Sequence, residues 1–303
     1  MSPQRPPPDL LAEAFVLLRG AFFGQSATPL TYRLRDKRNT QDDPLDERIS
    51  KLLRDGLARG TTCVRAPGPL ITPDLVVMRP TLCNGVPRAA LASDVIRIVA
   101  LEVKKLERTK AGGIARPSGM DYNTTPPCGT VRVYDQGAHA LDIRGFYLFV
   151  CQEAVQGSIG HYRITAFVLC DGNLLNADFA YYLSIIGERT KEIGLGTYGD
   201  GANRSRPMLI FANPLGAAEL DGKATLVHPR SDLDHQSPQL RHVGLITRTV
   251  IAGGQQTFHC YRLRNDVPVG HQDFELVDPF PSPTREVATQ PRGRFRLEVR
   301  PAD

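Results

Sequence analysis

The sequence predicts an α/β fold, a mixed sheet flanked by helices, on three observations. Two stretches of helical periodicity come first, and a run of strand-like segments follows. The composition, 41% hydrophobic and 23% charged over 303 residues, can supply one large core or two modest ones. No apolar run reaches the ~18 residues that a membrane helix requires. The stretch Met1-Ser-Pro-Gln-Arg-Pro-Pro-Pro is too polar for a secretory core, so a cytoplasmic protein is expected.

Asp9 is placed to cap a first helix whose apolar face carries Leu10, Leu11, Ala14, Phe15, Leu17 and Leu18. The second helix is better marked. Asp43 stands at the N-cap and Pro44 at the first helical position, Leu45, Ile49, Leu52, Leu53 and Leu57 keep helical spacing, and Gly60 lies past the end. The polar segment 31–43 between them reads as a surface connection. Strands are predicted over 61–65, 70–78, 95–103, 146–152 and 162–170, each rich in β-branched or aromatic residues and bounded by Gly, Pro or Asp. A helix over 177–192 and strands over 207–212, 243–251 and 257–263 complete the pattern. These divide the chain into residues 1–206 and a strand-rich region 207–303, which either extends the first unit or forms a DNA-contacting subdomain.

Six scattered cysteines without a C-x-x-C pair argue for buried free thiols rather than a zinc ribbon or a disulfide framework. Seven histidines lack H-x-x-x-H spacing, so ordinary core or surface roles are expected of them. The net charge is +5, and 30 of the 37 basic residues are Arg, whose planar fork suits phosphates and guanine edges. A GC-rich genome would give the same bias. Neither G-x-S-x-G nor a Walker A motif occurs, which removes the nucleophile-elbow hydrolases and the P-loop enzymes. Gly194-Leu-Gly-Thr-Tyr-Gly199 matches G-x-G-x-x-G but follows a predicted helix, where a dinucleotide site needs a strand.

The chemistry concentrates elsewhere. Pro73-Asp74 lies in one predicted strand and Ile98-Val-Ala-Leu-Glu102-Val-Lys104 ends another, with 27 residues between Asp74 and Glu102. Alternation puts Glu102 and Lys104 on one face, and Asp74 joins them if the strands are neighbours. Two carboxylates suit Mg²⁺, a hard cation that keeps waters and accepts phosphate oxygens. Lys104 is suited to orient an attacking water and to stabilise charge on a phosphate. The solvated face of an edge strand would show the same alternation. A second acid-x-Lys triplet, Asp221-Gly-Lys223, lacks both the apolar strand and the Pro-Asp before it.

Pro73-Asp74 with Glu102-Val-Lys104 resembles the signature of the PD-(D/E)xK nucleases. The resemblance covers residues 43–170. It implies an αβββαβ restriction-endonuclease-like core with the 207–303 region as an extension. It also implies Mg²⁺-dependent hydrolysis of DNA phosphodiesters, with Asp74 and Glu102 as metal ligands and Lys104 catalytic. A first-helix acid often joins such a site, which makes Glu47 a candidate, and Gln136 is a candidate for a polar helix residue. The expected activity is that of a type II restriction endonuclease acting on double-stranded DNA as a homodimer. A repair, recombination or mobile-element nuclease and a catalytically silent DNA-binding protein are the alternatives. For DNA contact the candidates are Lys105, Arg108, Lys110 and Arg116 in a basic stretch. Asp121, Tyr122, Asn123 and Thr124 in a turn-rich segment, and Arg204 and Arg206 further on, are added to them.

Overall fold

The computed structural model describes residues 7–39, 42–68, 71–107, 122–124, 128–177, 209–211, 223–249 and 254–267. The molecule is mixed α/β. Helix α1 (Leu10–Phe22) opens at Asp9, whose side chain accepts from the backbone N–H groups of Leu11 (2.9 Å) and Ala12 (3.2 Å). Helix α2 (Pro44–Gly56) opens at Asp43 in the same way, with Leu45 N at 2.9 Å and Pro44 where its missing N–H costs nothing. Short turns α3 (Pro80–Cys83) and α4 (Arg88–Leu91), a helix α5 over 172–177, and α6 (Leu233–Gln236) complete the described helices. None of them is long and apolar enough to cross a membrane.

The strands are β1 (Thr31–Arg33), β2 (Thr62–Arg65), β3 (Leu75–Met78), β4 (Ile98–Glu107), β5 (Tyr122–Thr124), β6 (Thr130–Tyr134), β7 (Ala140–Ala154), β8 (His161–Asp171), β9 (Leu209–Phe211), β10 (Ala224–His228), β11 (Leu240–Thr249) and β12 (Gln255–Leu263). The main sheet runs β11-β12-β10-β8-β7-β4-β3-β2. Its members β2, β3 and β4 form an antiparallel meander, β7 lies parallel to β4, and β10 lies parallel to β8. Among the described residues, strands β5 and β9 pair with each other, apart from the main sheet. Two long strands each serve two neighbours on one edge. Residues 140–144 of β7 pair β6 and residues 145–152 pair β4. Residues 161–163 of β8 pair β1 and residues 167–170 pair β10. Gly145 stands at the changeover in β7, where a side chain would collide with the Cys128 carbonyl.

Helices α1 and α2 cover one face of the sheet. Phe15 and Phe23 meet Phe167 there, with ring centroids 5.6 and 6.0 Å apart, among Leu10, Leu45, Leu101, Leu148 and Leu226. The opposite face packs Tyr147, Phe149, Val168, Phe258 and Cys260 against Leu174 and Leu175 of α5, and a third cluster joins Ala100 and Ile143 to Leu91. Residues 146–151 are therefore buried on both faces, which is why they read as an unbroken apolar run.

Several expectations are corrected. The polar segment 31–43 is not all connection, because residues 31–33 pair with β8. The strand expected to end at 103 continues to Glu107, since its pairing with β7 carries on past Lys104↔Phe149 to Glu107↔Gln152. Strands β6 and β10 were not anticipated. Every residue of β10 is buried, so no alternation marks it, yet it places the 224–263 region in the same sheet as β2–β4. None of the six cysteines is in a disulfide, and five are buried. Residues 194–199 and all but the first residue of the helix expected over 177–192 lie outside the described residues.

Asp9 ties α1 to the sheet as well as capping it. Its second oxygen lies 3.3 Å from Nε2 of His228 on β10, both side chains being almost fully buried. Asp9→Ala removes two cap bonds and leaves the imidazole facing an empty site, at a cost of about 2–4 kcal/mol. Asp9→Asn keeps the cap and loses less. Urea unfolding checks both variants, and equal losses would mean that the charge facing His228 contributes nothing.

Candidate active site

The antiparallel register Leu75↔Leu101 between β3 and β4 carries Asp74 alongside Glu102. Asp74 is tied to β4 directly: its Oδ2 accepts from the Val103 backbone N–H at 2.7 Å. Glu102 and Lys104 lie two residues apart on one face of β4, and Lys104 Nζ donates to Glu102 Oε1 at 2.9 Å. Both side chains are mostly buried, 13% and 21% exposed. The other oxygen, Glu102 Oε2, is buried with no hydrogen-bond partner among the described residues. A buried carboxylate oxygen without a donor is costly and is the natural place for a cation.

The N-terminus of α2 approaches the same point. Asp43, besides capping the helix, forms an ion pair with Lys105 at 2.8 Å. Lys105 is on the opposite face of β4 from Lys104, only 13% exposed, so it braces α2 against the sheet and does not extend towards solvent. Asp46, one turn into α2, is half-buried. Its carboxyl is pushed up to about 8, first by burial and then by repulsion from Asp74 and Asp43, against the smaller pull of Arg65 and Lys105. Asp74 is pushed up to about 6, again first by burial and then by the charge of Glu102, while the Val103 N–H and Lys104 draw it down. Buried carboxylates crowded with too few counter-ions hold on to protons, and a divalent cation among them would release those protons.

The acid of α2 that approaches Asp74 is thus Asp46, where sequence pointed to its neighbour Glu47. Glu47 is turned outward, 48% exposed, and accepts from Arg35 Nε at 3.0 Å and Nη2 at 2.6 Å, with Arg65 at 3.7 Å. Arg35 holds its carboxyl below the usual range. Gln136 is not on a helix; it is exposed in the turn between β6 and β7. Tyr122, Asn123 and Thr124 form β5. Arg108, Lys110, Arg116, Asp121, Arg204 and Arg206 lie outside the described residues.

The residues present fit a hard divalent cation bound through few protein oxygens. Among the described residues no three His, Cys, Asp or Glu side chains form a cage. An ion at Asp74 and Glu102 would therefore draw its remaining ligands from water and substrate, as Mg²⁺ commonly does. Comparison with protein-family models, curated proteins and solved structures gives no match.

The raised Asp46 carboxyl has a consequence for stability. An unfolded Asp loses its proton near pH ~4. The folded protein keeps the proton up to about 8, so it binds more protons than the unfolded chain across that window. Stability therefore falls as pH rises through the window. Asp46→Asn removes this loss. In EDTA, urea unfolding should find the variant and wild type alike near pH 4. At pH 8.5 the variant should lead by more than about 1.4 kcal/mol, the worth of one pKa unit. A difference that does not change with pH would contradict the electrostatic origin.

Proposed function

We propose that this chain is a Mg²⁺-dependent endonuclease hydrolysing phosphodiester bonds of double-stranded DNA, a site-specific deoxyribonuclease of the type II restriction class. The observation that carries the reading is the meeting of Asp74, Glu102 and Lys104 on adjoining strands, with Glu102 Oε2 buried and unbonded. The order of α2, the antiparallel meander β2-β3-β4 and the parallel strand β7 supports it, since the αβββαβ plan has the same sequence of pairings. Between β4 and β7 the described residues hold β5 and β6 where that plan has a helix.

Asp74 and Glu102 would hold the metal. When bound, Mg²⁺ polarises the phosphate and lowers the pKa of a coordinated water. The Val103 N–H fixes Asp74, so this carboxylate is oriented before substrate arrives. Lys104 has two duties. In the resting site it offsets the charge of Glu102; with substrate its ammonium is placed to hold the attacking water and to offset charge gathering on the phosphate. Asp46, which retains a proton near neutral pH, stands beside Asp74 as a third acid able to exchange one.

Incubation of plasmid DNA with the purified protein should give discrete fragments in Mg²⁺ and none in EDTA. Glu102→Ala and Lys104→Ala should each slow cutting about a hundredfold or more. Cutting that persists in both variants would overturn the assignment of the site. Cutting confined to branched substrates would favour a repair or recombination nuclease, and binding without any cutting a silent DNA-binding protein.

A further inference from the structure

Strands β7 and β8 continue past Glu107↔Gln152, the last pairing of β4 among the described residues, to a turn over 155–160. Gly157 and Gly160 take left-handed φ values of 75° and 71° there, which makes the turn tight. Ile159 sits at the tip and is 96% exposed, further out than any other large apolar side chain among the described residues. A β-branched residue is a poor choice for a turn and gains nothing by facing water.

The tip is held firmly. Leu34 N donates to the Gly160 carbonyl at 2.9 Å, β1 pairs with β8 from Thr31↔Arg163 to Arg33↔His161, and Arg163 is ion-paired to Glu153 across the hairpin. Ile159 is therefore displayed on a three-stranded ribbon. Arg33, which pairs with His161, and Lys37 and Arg38 further along the same segment are exposed and form no ion pair among the described residues. Arg35 is engaged by Asp42 and Glu47, the Arg38 backbone N–H also donates to Asp42, and Asp36 is a further exposed acid.

The ribbon stands next to the site. Tyr32 pairs with Tyr162, opposite Ala154 at the outer end of the hairpin, and burial, with Asp43 adding to it, opposes loss of the Tyr32 phenolic proton. Asp43 in turn holds Lys105 and repels Asp74. From the level of Lys105, β7 runs on from Val150 to Ala154, roughly 13 Å at the usual strand rise.

We propose that the β7–β8 hairpin with β1 is a DNA-contacting arm: Arg33, Lys37 and Arg38 hold phosphates of duplex DNA, and Ile159 enters the groove between them as an apolar contact to the bases. This rests on the reading of the site as a DNA nuclease. Exposed cations without an ion pair on the segment that flanks one exposed apolar tip are what a polyanion with an apolar interior surface complements. A purely protein-facing patch would show more apolar surface and less free charge.

The test measures binding of a fluorescein-labelled 30-base-pair duplex pool of random sequence to the full chain by anisotropy, in EDTA and over a range of salt. The triple variant Arg33→Ala, Lys37→Ala, Arg38→Ala should bind about tenfold more weakly, with a salt dependence reduced by two to three released ions (roughly one per cation). Ile159→Ser should weaken binding on the order of fivefold and leave the salt dependence unchanged. All four positions are exposed, so thermal unfolding should match wild type. Loss of binding in these variants supports the arm even if wild type cuts no DNA. Wild-type binding and cutting in all the variants overturns the arm and leaves the nuclease reading standing. Absence of duplex binding by wild type overturns it as well. So does Ile159→Ser that splits a dimer in sedimentation while DNA affinity holds, since the tip would then be an interface between copies.

Discussion

The pairing of β3 with β4 in the register Leu75↔Leu101 governs everything at the site. Side chains on neighbouring strands meet only when their positions match, and a slip of one residue turns each to the other face. In this register Leu75, Val77, Val99 and Leu101 enter the core beneath α1 and α2. Glu102 and Lys104 are left on the other face, with Asp74 beside them at the start of β3. The hydrophobic pattern thus places the charged groups. Burying the four apolar side chains stabilises the register by several kcal/mol, about 1.5–3 kcal/mol for each. That is enough to hold carboxylates close together that would otherwise separate.

The crowding is considerable. Asp43, Asp46, Asp74 and Glu102 converge with Lys104 and Lys105 as the nearby ammonium groups. Each lysine is matched to one carboxylate, which leaves Asp46 and Asp74 to repel each other. Burial first, then repulsion from Asp74 and Asp43 on Asp46 and from Glu102 on Asp74, keeps protons on both well above the usual carboxylate range. Buried charge of this kind weakens a fold and is tolerated where a ligand supplies the missing charge. The unbonded Glu102 Oε2 belongs to the same imbalance.

Much of this could be read from the sequence. Asp43-Pro44 marks the start of α2 because capping is a local matter, settled by the residue types themselves. Glu102 and Lys104 share a face because strand alternation is local too. What depended on tertiary packing was not legible. Asp46 and Glu47 are adjacent on α2, about 100° apart around its axis, and only the docking of that helix on the sheet decides which acid turns inward. Glu47 is drawn outward by Arg35, twelve residues earlier, through a contact no spacing rule foresees. Lys105 looked like part of a basic stretch and became an internal brace, since β4 runs on and its alternate face is covered by α2. Ile159 left no signal in the pattern. An isoleucine near glycines reads as a strand end until the hairpin's full length is seen.

The central claim is that Asp74 and Glu102 form a binding site for a hard divalent cation. Titration of the chain with Mn²⁺, a paramagnetic stand-in for Mg²⁺, followed by electron paramagnetic resonance, tests it without any reaction. Wild type should bind Mn²⁺, Mg²⁺ should displace it, and Asp74→Asn and Glu102→Gln should each weaken binding at least about tenfold, as loss of a charged ligand at a site with so few protein ligands requires. Equal Mn²⁺ binding by all three proteins would contradict the account.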